Sequence, residues 1–234
     1  MRKGDERKQE MLRTAERLFC SKGYDETSVQ DILDEVHGSK GGFYHHFVSK
    51  DDVLKTLCQN RASDACISCG EKLKDVQGSM SRINMVFHWI MPFHSEELSF
   101  LGMLLPILDR PESFSVRACY QQSLSDAFHC LLEQEIQLGQ ADHTLQPVTQ
   151  GLSPILLQLV NACWYELALL MLRGIRRNQK PEPSDVLEIL RPYRKSIETL
   201  LDAPYGGILL IGLDEFDAAA DRLLRIVRTP LYHR

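Results

Sequence analysis

Residues 27–50 read TSVQDILDEVHGSKGGFYHHFVSK, and the order of residue types in this stretch decides the fold. Val29, Ile32, Leu33 and Val36 fall on one face of a short helix. Thr27 or Ser28 is its N-cap, and Asp31 sits in the first turns, where the positive end of the helix dipole favours a carboxylate. His37-Gly38 makes a tight turn. Ser39 then caps a second short helix whose Phe43 and Phe47, four residues apart, plug into a core. Between Val36 and Lys50 there are two Lys, three His and no acid.

The flanks continue the helical pattern. From Asp5 to Lys22, the residues Met11, Leu12, Ala15, Leu18 and Phe19 form one apolar face, and Gly23 stops that helix. Ser49 caps a long helix, with Asp52 at the capping-box position. Its apolar stripe is Val53, Leu54, Leu57, Cys58, Ala65 and Cys66, extended by Cys69 and Leu73, and Gly78 breaks it. Residues 79–203 read as five more helices: Ser81 to Pro92, Ser95 to Leu108, one from after Pro111 to near Gly139, Pro154 to about Arg177, and Ser184 to Leu201 with Pro192 inside. A glycine-framed apolar stretch, 205–212, precedes a last amphipathic helix carrying Phe216, Ala219, Ala220, Leu223 and Val227. The expected fold class is all-α: a helix-turn-helix domain over 1–50 and a helical domain over 51–234.

Composition bounds the reading. At 234 residues the chain can bury a sizeable core, and 44% hydrophobic with 25% charged residues is the balance of a soluble globular protein. No apolar run reaches the roughly 18 residues that span a bilayer. The N-terminus MRKGDERKQE lacks the apolar core of a secretory signal, so a cytoplasmic protein away from membranes is expected. The seven Cys are an odd number scattered through helical patterns, which argues for reduced residues rather than a disulfide framework. Cys66-x-x-Cys69 puts two thiols on one helix face, which is more often packing than a redox or metal site. His37, His45 and His46 have no Cys or acid beside them, so no metal and no cofactor are expected. The chain contains no GxSxG, Walker loop or HExxH, and no catalytic set is apparent.

Charge alone does not suggest nucleic acid. The net charge is −5, and residues 1–55 hold ten Lys and Arg against eleven Asp and Glu. Distribution matters more than the sum, and the acid-free stretch from 36 to 50 is where a short helix can meet a DNA groove.

The first fifty residues resemble the DNA-binding head of the TetR/AcrR family of transcriptional regulators. The resemblance rests on Glu16-Arg17-Leu18-Phe19, Lys22-Gly23-Tyr24, Thr27 to Ile32, Ser39 to Phe47 and Ser49-Lys50-Asp51, in order and at family spacing. One departure is the turn glycine: where the family commonly has Gly, this chain has His37, and Gly38 follows it.

The resemblance implies DNA contacts at Ser28, Gln30, Ser39, Lys40, Gly41, Gly42, Tyr44, His45, His46 and Lys50. It also implies a homodimer built through 154–177 and 184–203, a palindromic double-stranded operator, and a repressor released by a small-molecule effector held in the body. An aromatic and Met-rich zone supplies the expected effector contacts: Phe87, His88, Met91, Phe100, Met103, Leu104, Tyr120 and Gln121. Two alternatives stay open: an activator or effector-independent regulator of the same fold, and a helical binding protein or enzyme with a degenerate head.

Overall fold

The computed structural model describes residues 3–94, 97–110 and 114–228. Every regular element among them is an α-helix: α1 (Lys3–Lys22), α2 (Val29–Glu35), α3 (Lys40–His46), α4 (Lys50–Leu73), α5 (Ser79–Ile90), α6 (Leu98–Leu108), α7 (Phe114–Ala141), α8 (Ser153–Arg177), α9 (Pro183–Leu201) and α10 (Leu213–Arg228). The expected first residue of α6, Ser95, and the Pro111 start before α7 lie outside the described residues, as does the Val227 side chain.

Local chemistry sets the ends of the short helices. Ser28 is the N-cap of α2: its hydroxyl accepts the Asp31 N–H at 3.1 Å, and Asp31 Oδ2 accepts the Ser28 N–H at 2.6 Å. Thr27 is fully buried instead, with its hydroxyl donating to the Gly23 carbonyl at 2.7 Å. Ser39 caps α3 by accepting the Gly42 N–H at 3.1 Å. Ser49 caps α4, but the Asp52 carboxylate reaches the N–H of Val48 at 3.0 Å rather than that of Ser49, so the box is displaced by one residue.

The turn between α2 and α3 settles the question of its glycine. His37, not Gly38, takes the left-handed conformation, with φ of 48°. The Gly38 N–H reaches Leu33 O at 2.8 Å and the His37 N–H reaches Asp34 O at 3.4 Å, the two bonds that close a helix C-terminus around a left-handed residue. Arg7 of α1 completes the end by donating to Val36 O at 2.5 Å and His37 O at 3.0 Å. Gly38 is small for another reason: a Cβ there would stand 3.0 Å from Leu33 Cδ2 and 3.1 Å from a Val36 methyl.

In the body, α4 packs along α7, α5 along α7, and α8 against α9. Helix α4 ends at Leu73 rather than Gly78, which instead precedes α5 with φ of 81°. Gly139 does not end α7; it lies inside the helix, where a Cβ would come 2.6 Å from Leu145. By length and composition α8 is apolar enough to cross a membrane, contrary to the expectation from apolar runs. Its Leu156, Val160, Cys163, Trp164, Leu167 and Met171 are buried in the body, which accounts for that composition. The 205–212 stretch is neither helix nor strand. Asn84 bonds Gly207 O at 2.8 Å and Leu209 N at 2.9 Å, and Arg194 bonds Ile208 O, so side chains of α5 and α9 strap it to the body. It leads into α10, which packs on α6 and α8 with Phe216 against Phe93.

Head and body meet at Arg61 of α4. Its guanidinium pairs with Glu16 of α1, reaches Glu97 at the start of α6 at 3.2 Å, and lies 5.4 Å from the Phe100 ring centroid. Burial works against the charge, but Glu97 and Glu16 outweigh it and raise the Arg61 pKa. A second tie joins Arg110, just after α6, to Asp25 in the α1–α2 loop through a bidentate pair.

Two outcomes follow. Arg61→Ala leaves the Glu97 carboxylate buried beside an apolar gap and costs about 2–3 kcal/mol in denaturant unfolding. His37→Gly removes the left-handed cost of a residue with a Cβ and raises stability by about 1 kcal/mol in the same measurement.

Candidate nucleic-acid interface

The third helix stands out from the head on one side. Phe43 and Phe47 are buried beneath it, their ring centroids 5.6 Å apart, and anchor it to α1 and α2. On the outer face Lys40, Gly41, Tyr44 and His45 are exposed and His46 is partly so. Tyr44 stands edge-on against Phe43 and is 59% exposed, an unusual position for a large aromatic with nothing in the chain covering it.

Gly41 is the most telling position. A Cβ built there meets no atom of the protein within 4 Å. Packing within the chain therefore does not demand the glycine. Gly42 differs, because a Cβ there would press on the capping hydroxyl of Ser39 at 3.3 Å.

Four acids near this face are engaged. Asp31 is held by the Ser28 hydroxyl and N–H, with Lys22 at 3.0 Å, and these bonds keep its carboxyl well below the usual range. Asp34 accepts from Gln30 Nε2 at 2.6 Å, Glu35 pairs with Arg17, and Asp51 accepts from the Tyr24 hydroxyl. The outer surface from Lys40 to Val48 thus carries basic and neutral groups with no acid of its own.

The structure sorts the sequence-derived contacts into two groups. Lys40, Gly41, Tyr44 and His45 share the open face. Ser28, Gln30 and Ser39 are exposed, but their polar atoms already serve the α2 cap, Asp34 and the α3 cap. Lys50 is turned inward: its ammonium donates to Tyr24 O at 2.8 Å and Thr27 O at 3.0 Å and lies 4.2 Å from the Tyr24 ring centroid. It clamps α4 to the loop before α2. Val48, which the sequence reading passed over, is 79% exposed beside the same face. Its signal was an apolar residue between the last core Phe and a cap, with no periodic partner.

The expected effector residues do not form one site. Phe87, Met91, Phe100, Met103, Leu104 and Tyr120 are at most 2% exposed and pack into the body core, with Tyr120 in edge-on contact with Phe100 and Trp164. His88 lies apart, in a cleft of about 540 Å³ between α5 and the 209–212 strap, 3.4 Å from Glu215 of α10. Gln121 lies in a different groove, between α7 and α8, exchanging amide bonds with Asn161.

Residues 11–57 match the family model described as bacterial regulatory proteins, tetR family. The chain carries a tetR-family head. The uncharacterized HTH-type transcriptional regulator YerO of Bacillus subtilis is 42% identical over 55 residues, 24% of this chain and 19% of YerO. The matched stretch therefore spans about a fifth of that relative's length. The Transposon Tn10 TetC protein of Escherichia coli is 25% identical over 166 residues, 69% of this chain and 78% of TetC. Beyond the head the likeness to solved structures is one of fold. The crystal structure of the transcriptional regulator FadR from Bacillus subtilis, in complex with stearoyl-CoA, superposes with a TM-score of 0.55 at 13% identity, covering 82% of this chain and 97% of FadR.

The Asp31 cap gives a pH signature. A carboxyl whose pKa is depressed on folding contributes stability above its unfolded pKa of about 4 and loses it as pH falls. The stability difference between the parent and Asp31→Asn is therefore expected to be full at neutral pH and to shrink from about pH 5 to about pH 2, followed by thermal unfolding at each pH.

Proposed function

We propose that this chain is a cytoplasmic, homodimeric transcriptional repressor that places α3 in the major groove of a palindromic operator and leaves it when a small molecule binds the body. The observation that carries the reading is the acid-free outer face of α3 with its unfilled space at Gly41. Lys40 sits at the α3 N-terminus, where a cation can pair with guanine acceptors and the first N–H groups face phosphate. Tyr44, His45 and His46 reach outward toward the backbone. Ser28, Gln30, Ser39 and Gly42 shape the approach, and Lys50 acts by fixing α4 rather than by touching DNA.

A helix-turn-helix reads two half-sites as a dimer. Residues 154–177 and 184–203 are the proposed dimer surface. Ile155 and Leu187 are exposed there, and Leu159, Leu169, Leu170 and Leu200 are partly so, which leaves apolar surface on the helix pair. Residues 1–50 form the reading head and 51–234 the sensing and pairing body. Helix α4 starts at Lys50, the last residue of the head, and runs into the body, and the Arg61 and Arg110 ties give an effector a route to head orientation. Release needs only that the effector bind the non-operator arrangement more tightly.

Selection of binding sites from a random duplex library tests the reading, with elution at twice the chain mass as the dimer check. An enriched two-fold symmetric site is expected, and absence of any enriched sequence would sink the proposal. On that site Lys40→Ala costs about 1–3 kcal/mol and relaxes base preference. Gly41→Ala separates stability from binding. It raises thermal stability slightly, since Ala is favoured over Gly in a helix by about 1 kcal/mol, while weakening operator binding.

A further inference from the structure

We propose that Cys66 and Cys130 are a thiol pair that closes a disulfide across the packed seam between α4 and α7 when the protein meets a hydroperoxide. The pairing is not the Cys66-x-x-Cys69 set visible in the sequence. Cys66 Sγ lies 3.0 Å from the carbonyl oxygen of Ala127 on α7. Cys130 is three residues further along α7, where its Cβ leans back over that carbonyl. The Cys66 sulfur is thus held within one helical turn of Cys130, and burial first, then the charge of Cys130, raises its pKa.

The two thiols have complementary environments. Among the seven cysteines Cys130 alone is exposed, while Cys66 is half-buried. Cys69 is buried, and burial pushes its thiol up to about 12, which makes it a poor partner. Cys130 is therefore the group that meets an oxidant and Cys66 the group that resolves the product.

The chemistry balances with one hydroperoxide. The Cys130 thiolate attacks the terminal peroxide oxygen, the O–O bond breaks, and the alkoxide leaves as the alcohol after taking a proton, giving a sulfenic acid. The Cys66 sulfur then attacks the Cys130 sulfur. The S–S bond forms as the S–O bond breaks, and the departing hydroxide takes the Cys66 proton and leaves as water. Two thiols lose two electrons and two protons in total, and the hydroperoxide is reduced to alcohol and water. The bond tethers α4, the helix that carries the head, to the body. That consequence rests on the regulatory reading above; the bond itself does not.

The full chain is treated with hydrogen peroxide, remaining thiols are alkylated, and the protein is digested without reductant for mass spectrometry. The expected result is a Cys66–Cys130 linked peptide that dithiothreitol abolishes and that is lost in Cys130→Ser and in Cys66→Ser. Cys130→Ser changes an exposed side chain and is expected to keep the parent melting temperature, which separates loss of the bond from loss of the fold. A Cys66–Cys69 link, a link between two chains, or Cys130 oxidised to sulfinic acid with Cys66 still alkylated would each overturn the proposal.

Discussion

The guanidinium of Arg61 is the interaction on which the arrangement of this protein depends. It sits where α1, α4 and α6 converge, with Glu16 and Glu97 as partners and the Phe100 ring beside it. A charge taken partly out of water is retained only when its partners offset the lost hydration. Here both partners come from helices that flank α4, so the pairing holds the first helix of the head against a body helix. The Arg110–Asp25 pair repeats the tie at the other end of α6. Both ties join α6 and its flanks to the head through charged, geometrically specific contacts.

Within the head, the stiffness of α3 comes from its surroundings. Seven residues make a marginal helix in water. It persists because Ser39 satisfies an early N–H, two Phe side chains sink into the core, and the preceding turn is fixed by Arg7 and a left-handed His37. The His37 backbone stores strain that a glycine there would not, and at Gly38 a side chain would press on the Leu33 and Val36 methyl groups. The displaced glycine thus reflects a division of labour: one residue takes the unusual dihedral and its neighbour supplies the close approach.

The body shows how composition misleads about binding. Aromatic and Met side chains around 87–104 suit a ligand pocket in the abstract, yet most of them fill the space between α5, α6, α7 and α8. The open volume near His88 exists because the 205–212 strap crosses α5 without covering it fully, held there by Asn84 and Arg194. A segment that looks like an appendage in sequence is part of the wall of the body's cleft.

The ten helices among the described residues and the buried faces of the head were legible in the sequence, because caps and period 3.6 are local signals that a chain carries in itself, whereas glycine marked a helix end at Gly23 but not at Gly78 or Gly139. Ser39, Phe43, Phe47 and the acid-free run to Lys50 fixed the shape of the reading helix in the same way. What only tertiary structure decided was the use of polar atoms between distant residues. Lys50 reads as a free cation until Tyr24 and Thr27 place their carbonyls beside it. Cys66 shares a helix face with Cys69 in the sequence, and only the packing of α7 gives its sulfur the Ala127 carbonyl as a partner. His88 and Gln121 read as one polar set until the packing of α5 and α7 separates them. Local order is written in spacing along the chain. The partner of a charge, a thiol or an amide is set by which helices meet, and that follows from the burial of all the apolar faces together.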